Sequence, residues 1–129
     1  MFRHKVLVDS SVWIDYLREG NIHILDRLLE EDLACINELI FTELAPVLIQ
    51  QKRNDILEGL GALERVPLKT DWDIIRSYQV LNLKNGVNKV GIPDLIILQQ
   101  VIEEKLALFS FDKHFRLMQE YLTFNLIEA

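Results

Sequence analysis

Three short apolar runs constrain this chain most: Val6-Leu7-Val8, Leu33-Ala34-Cys35-Ile36 and Leu106 through Phe109. Each is only long enough for a strand, and each is apolar at consecutive positions rather than at alternate ones. That pattern marks strands buried on both faces, the habit of parallel sheets covered by helices. Two weaker candidates are the "RVPL" stretch from Arg65 and the closing "TFNLIE" from Thr123.

The segments between these runs read as helices. Ser10 and Ser11 suit a helix start, their hydroxyls accepting from free amides, and Gly20 suits its stop. Ile22, Leu25, Leu28 and Leu29 line one face of a second helix. A strongly apolar helix follows from Glu38, which Pro46 is expected to kink or divide. A fourth decays at Gly59 and Gly61, a fifth runs from Asp71 to Asn85-Gly86, and a sixth has Pro93 in its first turn. A short helix from Asp112 to Tyr121 precedes the last strand. Strands alternating with helices from end to end predict an α/β domain: a three-layer α/β/α sandwich around a central parallel sheet. At 129 residues it is expected to be a single domain over 1–129.

Composition narrows the function. The formal net charge of −6 argues against a surface that binds nucleic acid through broad positive charge, though not against one that uses a metal ion and a small basic patch. No apolar stretch approaches the roughly 20 residues a membrane span needs. The opening "MFRHKVLVDSS" has no long apolar segment and no small-residue cleavage site, so a cytoplasmic protein is expected. Cys35, the only cysteine, reads as a small core residue, and His4, His23 and His114 have no zinc-site spacing.

Four acids stand out because each lies in or beside strongly apolar sequence: Asp9 after "VLV", Glu43 in "LIFTELAPV", Asp94 in "GIPDLIIL" and Asp112 after "LALFSF". Asp9 and Asp112 follow strand ends, and ligands of parallel sheets bind beyond the carboxyl ends of strands. Two carboxylates about 4 Å apart repel by roughly 4 kcal/mol at an effective dielectric near 20. A hard divalent cation relieves that repulsion, and all-oxygen donors select Mg²⁺ or Mn²⁺. Taken singly, each acid has another reading. Asp94 suits the positive end of a helix dipole, Asp112 an N-cap, and Asp9 a lysine partner.

In order and spacing these residues resemble PIN-domain ribonucleases, especially VapC-type toxins of prokaryotic toxin–antitoxin modules. "VLVDSSVWIDYLR" is similar to the opening motif of that family, "FTEL" to its second acidic motif, and "GIPDLIILQQVIEEKLALFSFDKHF" to its third and fourth together. The resemblance implies a PIN-like fold and an endoribonuclease whose acids hold Mg²⁺ or Mn²⁺. It implies Asp9, Glu43, Asp94 and Asp112 as metal-binding and catalytic residues. Ser10, Ser11 and Ser110 match positions of supporting hydroxyls. It also implies an RNA substrate and a cognate antitoxin, and the long apolar helices of the chain suggest a homodimer. One departure is clear. The family motif often reads Asp, any residue, Asp, Phe, and here "DKHF" puts His114 at the second acid, where it reads as a surface histidine capping its helix.

Neighbouring residues read differently. Asp15 turns away from Asp9 on its helix, and Glu38 is the substitute for Glu43. Trp13, Trp72 and Tyr16 are expected to pack on a helix face or in a subunit contact rather than stack a base, and Lys84, Lys89, Lys113 and Arg116 supply local positive charge. Two other classes remain. A dehalogenase-like phosphotransferase needs a second aspartate where Ser11 stands, and a receiver wants adjacent acids where "LVDSS" has one. A weak or inactive PIN-like module would act by binding a partner or RNA.

Overall fold

A computed structural model describes residues 4–128. Met1, Phe2 and Arg3 of the opening stretch, and Ala129, lie outside the described residues. The three apolar runs form β1 (Val6–Val8), β2 (Ala34–Ile36) and β4 (Ala107–Phe109), each buried along its length. With β3 (Glu64–Arg65) and β5 (Asn125–Ile127) they make a five-stranded sheet in the order β3-β2-β1-β4-β5. Every pairing is parallel. The expected strand at "RVPL" is shifted: it covers Glu64–Arg65, is short and exposed, and gives way as Pro67 removes a ladder donor.

Seven helices flank this sheet among the described residues: α1 (Ser10–Glu19), α2 (His23–Glu30), α3 (Glu38–Gln50), α4 (Asn54–Gly61), α5 (Trp72–Lys84), α6 (Ile92–Glu103) and α7 (Lys113–Met118). None is long and apolar enough to cross a membrane. α1 ends as expected at Gly20, whose φ of 76° lets its amide turn back to Tyr16 O at 2.7 Å.

Two expectations need correction. Pro46 neither divides nor ends α3, which continues to Gln50. Thr42, whose carbonyl loses its intrahelical donor to the proline ring, lies with Pro46 on the exposed side of the helix, open to solvent. The hydroxyls of Ser10 and Ser11 do not cap α1. The Ser11 hydroxyl instead accepts from Phe111 N at 3.1 Å, across the sheet edge.

The chain begins in the middle of the sheet, winds outward through β2 and β3, then returns to the other side of β1 with β4 and β5. The reversal lies between β1 and β4. Connections leaving their carboxyl ends diverge there and open a crevice. The ladder runs up to this edge, where Asp9 N bonds Phe109 O at 2.9 Å. The apolar core beneath includes the fully buried Leu7, Ile36, Leu98, Leu108, Phe109 and Phe115.

Candidate metal centre at the β1–β4 edge

Asp9 leaves β1 as the N-cap residue of α1, only 5% exposed. An aspartate there normally accepts an amide from its own helix, as Asp71 does at α5 and Asp112 at α7. Asp9 makes no such bond. Its Oδ2 accepts instead from the hydroxyls of Ser11 at 2.9 Å and Ser110 at 2.8 Å. Ser110, itself buried, accepts from Asp112 N at 3.0 Å, so one hydroxyl joins the first and last acids. Two hydroxyls on one oxygen hold the carboxylate in place without neutralising it.

The other acids arrive on different elements. Asp94 stands in the first turn of α6, after Gly91 and Pro93. Asp112 caps α7 by accepting from His114 N at 2.9 Å. An oxygen of Asp94, an oxygen of Asp112 and a nitrogen of His114 all lie within 4.8 Å of one another. Glu43 projects from the middle of α3 and stays accessible on one side. Burial of its other side, followed by the charge of Asp9, raises its carboxyl above the usual range, and the Ser10 hydroxyl pulls the other way.

Asp94 registers all of this. Burial first, then the charges of Asp112, Asp9 and Glu43, push its carboxyl up to about 7. Among the described residues no lysine or arginine pairs with any of these four acids. The structure thus brings Asp94 and Asp112 into one close set and keeps Asp9 and Glu43 beside it as electrostatic neighbours, Asp9 tied in through Ser110.

Neighbouring residues sort themselves. Glu38 is occupied by Arg65, whose Nη1 reaches both carboxylate oxygens at 2.8 Å. Asp15 pairs with Arg18 on the surface at 3.0 Å. Trp13 is buried against the half-buried Tyr16, whose hydroxyl donates to Asp26. Trp72 stays exposed at the start of α5. Burial pushes the Cys35 thiol up to about 12, which keeps it an unreactive core residue.

Sequence reasoning missed His114 as a member. Its side chain is only 22% exposed, and its Nδ1 is buried without a hydrogen-bond partner, so it is not a surface cap. The signal was the spacing in "DKHF", two residues from Asp112 on a helix start.

The family model for the PIN domain matches residues 6–121. The chain belongs to the PIN domain family. It is 34% identical over 71 residues to Ribonuclease VapC32 of Mycobacterium tuberculosis, a match covering 55% of this chain and 56% of that protein. The chain therefore spans little more than half the length of that curated relative. As a PIN fold it superposes on a DNA-bound VapBC structure from Salmonella typhimurium with a TM-score of 0.74 and 20% identity, over 97% of each chain. It matches VapBC2 of Rickettsia felis, bound to promoter DNA, with a TM-score of 0.76 and 13% identity, over 96% of this chain and 98% of that one. The α/β/α sandwich and its all-parallel sheet are those of these structures.

Proposed function

We propose that the chain is one PIN domain over 1–129 and a metal-dependent endoribonuclease, the toxin of a toxin–antitoxin pair. The observation that carries this reading is the group of four acids from four elements, none paired with a lysine or arginine among the described residues, in which burial first and the neighbouring charges second push Asp94 up to about 7. Membership of the PIN family and similarity to a protein named as a ribonuclease support it.

The residues fit a divalent cation. The donors are oxygens and one histidine nitrogen without a hydrogen bond, and among the described residues no lysine or arginine pairs with the four acids. Asp9, Asp94 and Asp112 would hold Mg²⁺ or Mn²⁺, with Glu43 ligating or holding a water. When bound, the ion lowers the pKa of water and stabilises charge on a scissile phosphate. Ser11 and Ser110 keep Asp9 Oδ2 in place, so the carboxylate needs no reorganisation when an ion arrives. Water rather than a ribose hydroxyl is the nucleophile and the 3′-oxygen is the leaving group, which gives 3′-hydroxyl and 5′-phosphate ends. Lys84, Lys89 and Lys113 supply positive charge for RNA, while Arg116 is spent on Glu128 at 2.6 Å.

A cognate antitoxin is the proposed protein partner. A groove of about 420 Å³ lined by Ile14, Leu17, Val47, Leu48 and Arg53 runs up to Glu43, so a segment lying in it ends at the acids. Val47 and Ile49 on α3, with Val80 and Leu83 on α5, leave apolar surface exposed for a homodimer. The proposed location is the cytoplasm.

His114, where the family often has an acid, favours a second reading: a weak or inactive PIN-like module that acts by binding. One experiment separates the two. Purified chain is incubated with total RNA and Mn²⁺, with parallel reactions containing excess EDTA, Asp9→Asn or Asp94→Asn. Cleavage by the parent alone supports the nuclease. Cleavage that persists in EDTA or in either variant rejects the metal mechanism, and none by the parent with Mn²⁺ bound leaves the binding module.

A further inference from the structure

We infer that His114 Nδ1 is itself a metal ligand, which turns an all-oxygen centre into a mixed nitrogen–oxygen one selective for Mn²⁺ over Mg²⁺. The inference rests on the metal centre proposed above and assigns that centre's cation.

The geometry of the imidazole is the starting point. His114 Nδ1 lies 3.2 Å from Asp112 Oδ1, within ion-pair distance when the ring is protonated, but the two are not aligned for a hydrogen bond. That oxygen already accepts from His114 N at 2.9 Å. The nitrogen is buried and has no other partner among the described residues. With the ring neutral, that nitrogen and the carboxylate oxygen are two donors spaced to share one cation.

The spacing agrees. In an octahedral shell with bonds of about 2.1 Å, adjacent donors lie about 3 Å apart and opposite donors about 4.2 Å. The Nδ1 to Oδ1 distance matches the first. An oxygen of Asp94, an oxygen of Asp112 and a ring nitrogen of His114 lie within 4.8 Å of one another, a span little wider than one such shell. Asp112 and His114 are held by α7 and Asp94 by α6, so backbone elements fix all three positions.

The donor chemistry decides the cation. Mg²⁺ is hard and favours oxygen, whereas imidazole suits the later first-row ions; Mn²⁺ accepts both and ranks above Mg²⁺ wherever nitrogen enters the set. A histidine in place of an acid also removes one negative charge, which weakens the ion held chiefly by charge. Both effects move the centre from Mg²⁺ toward Mn²⁺.

The test uses the full chain loaded with Mn²⁺ alone and read by pulsed electron paramagnetic resonance. Directly bound ¹⁴N gives an echo modulation. It should be present in the parent and absent from His114→Asp, which still binds Mn²⁺. Calorimetry with Mn²⁺ and with Mg²⁺ should show the Mn²⁺ preference falling roughly tenfold in that variant, the scale of a changed coordination environment. His114→Ala, its folding checked by circular dichroism, should weaken Mn²⁺ binding by a similar factor. Nitrogen modulation that survives in His114→Asp, or an unchanged preference, overturns the inference and leaves the proposed nuclease standing. A parent that binds no Mn²⁺ at all overturns both.

Discussion

Ser110 donates its hydroxyl to Asp9 Oδ2 at 2.8 Å across 101 residues of sequence, and accepts Asp112 N at 3.0 Å with the same oxygen. One buried hydroxyl thus ties the end of β1 to the loop after β4. Ser110→Ala leaves a buried carboxylate with one hydroxyl donor, Ser11, and removes the acceptor of Asp112 N. A hydrogen bond to a charged group contributes about 1.5–3 kcal/mol. Urea unfolding should show that loss as a lower midpoint with an unchanged slope. An unchanged midpoint means water replaces the hydroxyl and the site is wetter than its burial suggests.

Asp94 makes the metal-free fold less stable at high pH. Its carboxyl sits at about 7 in the folded protein against an ordinary 3.8. Between those values the folded state holds the proton and the unfolded state has released it. Unfolding therefore becomes easier as pH rises from about 4 to about 7, and the penalty is complete above that. Asp94→Asn cannot ionise and escapes it. In EDTA at pH 8 the variant should melt several degrees above the parent, since each kcal/mol moves the midpoint by about 4 °C in a domain of this size. At pH 4 the two should converge. A variant that melts lower at pH 8 contradicts the raised carboxyl.

The same group sets the pH dependence of metal binding, with the opposite sense. A protonated Asp94 must lose its proton before it can ligate. In His114→Ala, where no imidazole proton competes, Mn²⁺ affinity should therefore rise about tenfold per pH unit below 7 and level off above it, as one proton is released. Titration calorimetry in two buffers of different ionisation enthalpy counts that proton. A flat profile between pH 5.5 and 8 removes Asp94 from the ligand set.

Much of this arrangement was legible in the sequence, for a physical reason. Asp9 and Asp112 end consecutive apolar runs, and a charge at that place in a parallel sheet has few uses, so two positions show in one chain. Glu43 was harder, because a glutamate within an apolar helix can face several ways, and Glu38 was the competing choice until Arg65 was seen to hold it. What stayed hidden depends on contacts between distant segments. Ser11 and Ser110 are 99 residues apart, and nothing in "DSS" says that its hydroxyls turn from their own helix to another loop. His114 was misread because its burial is set by how α7 sits on the sheet, not by its neighbours in sequence. Pro46 was overrated as a breaker because local rules ignore that its face of α3 is open to solvent.

The acids also depend on a polar link below them. Asn37 caps α3, its Oδ1 accepting from Ile40 N at 2.8 Å, and donates its Nδ2 to Gln100 Oε1 at 2.8 Å. Gln100 belongs to α6, and its own Nε2 donates to the carbonyls of Val66 at 3.2 Å and Pro67 at 3.1 Å. Both side chains are buried. The pair therefore fastens the helix that carries Glu43 to the helix that carries Asp94, and satisfies two carbonyls just past β3. Gln100→Ala strands the Asn37 amide and the buried Val66 carbonyl, while the exposed Pro67 is open to solvent. Each unsatisfied buried group costs about 1–3 kcal/mol, so the variant should lose at least 2 kcal/mol by urea unfolding. Asn37→Ala should lose a similar amount through the cap and the same bond. Because the bond is shared, the double variant should be more stable than the sum of the two losses by about 1 kcal/mol. Mn²⁺ affinity of Gln100→Ala should also fall, since α3 and α6 are then free to shift against each other. Strict additivity would mean that the two side chains stabilise their helices independently, and that some other contact sets the distance from Glu43 to Asp94.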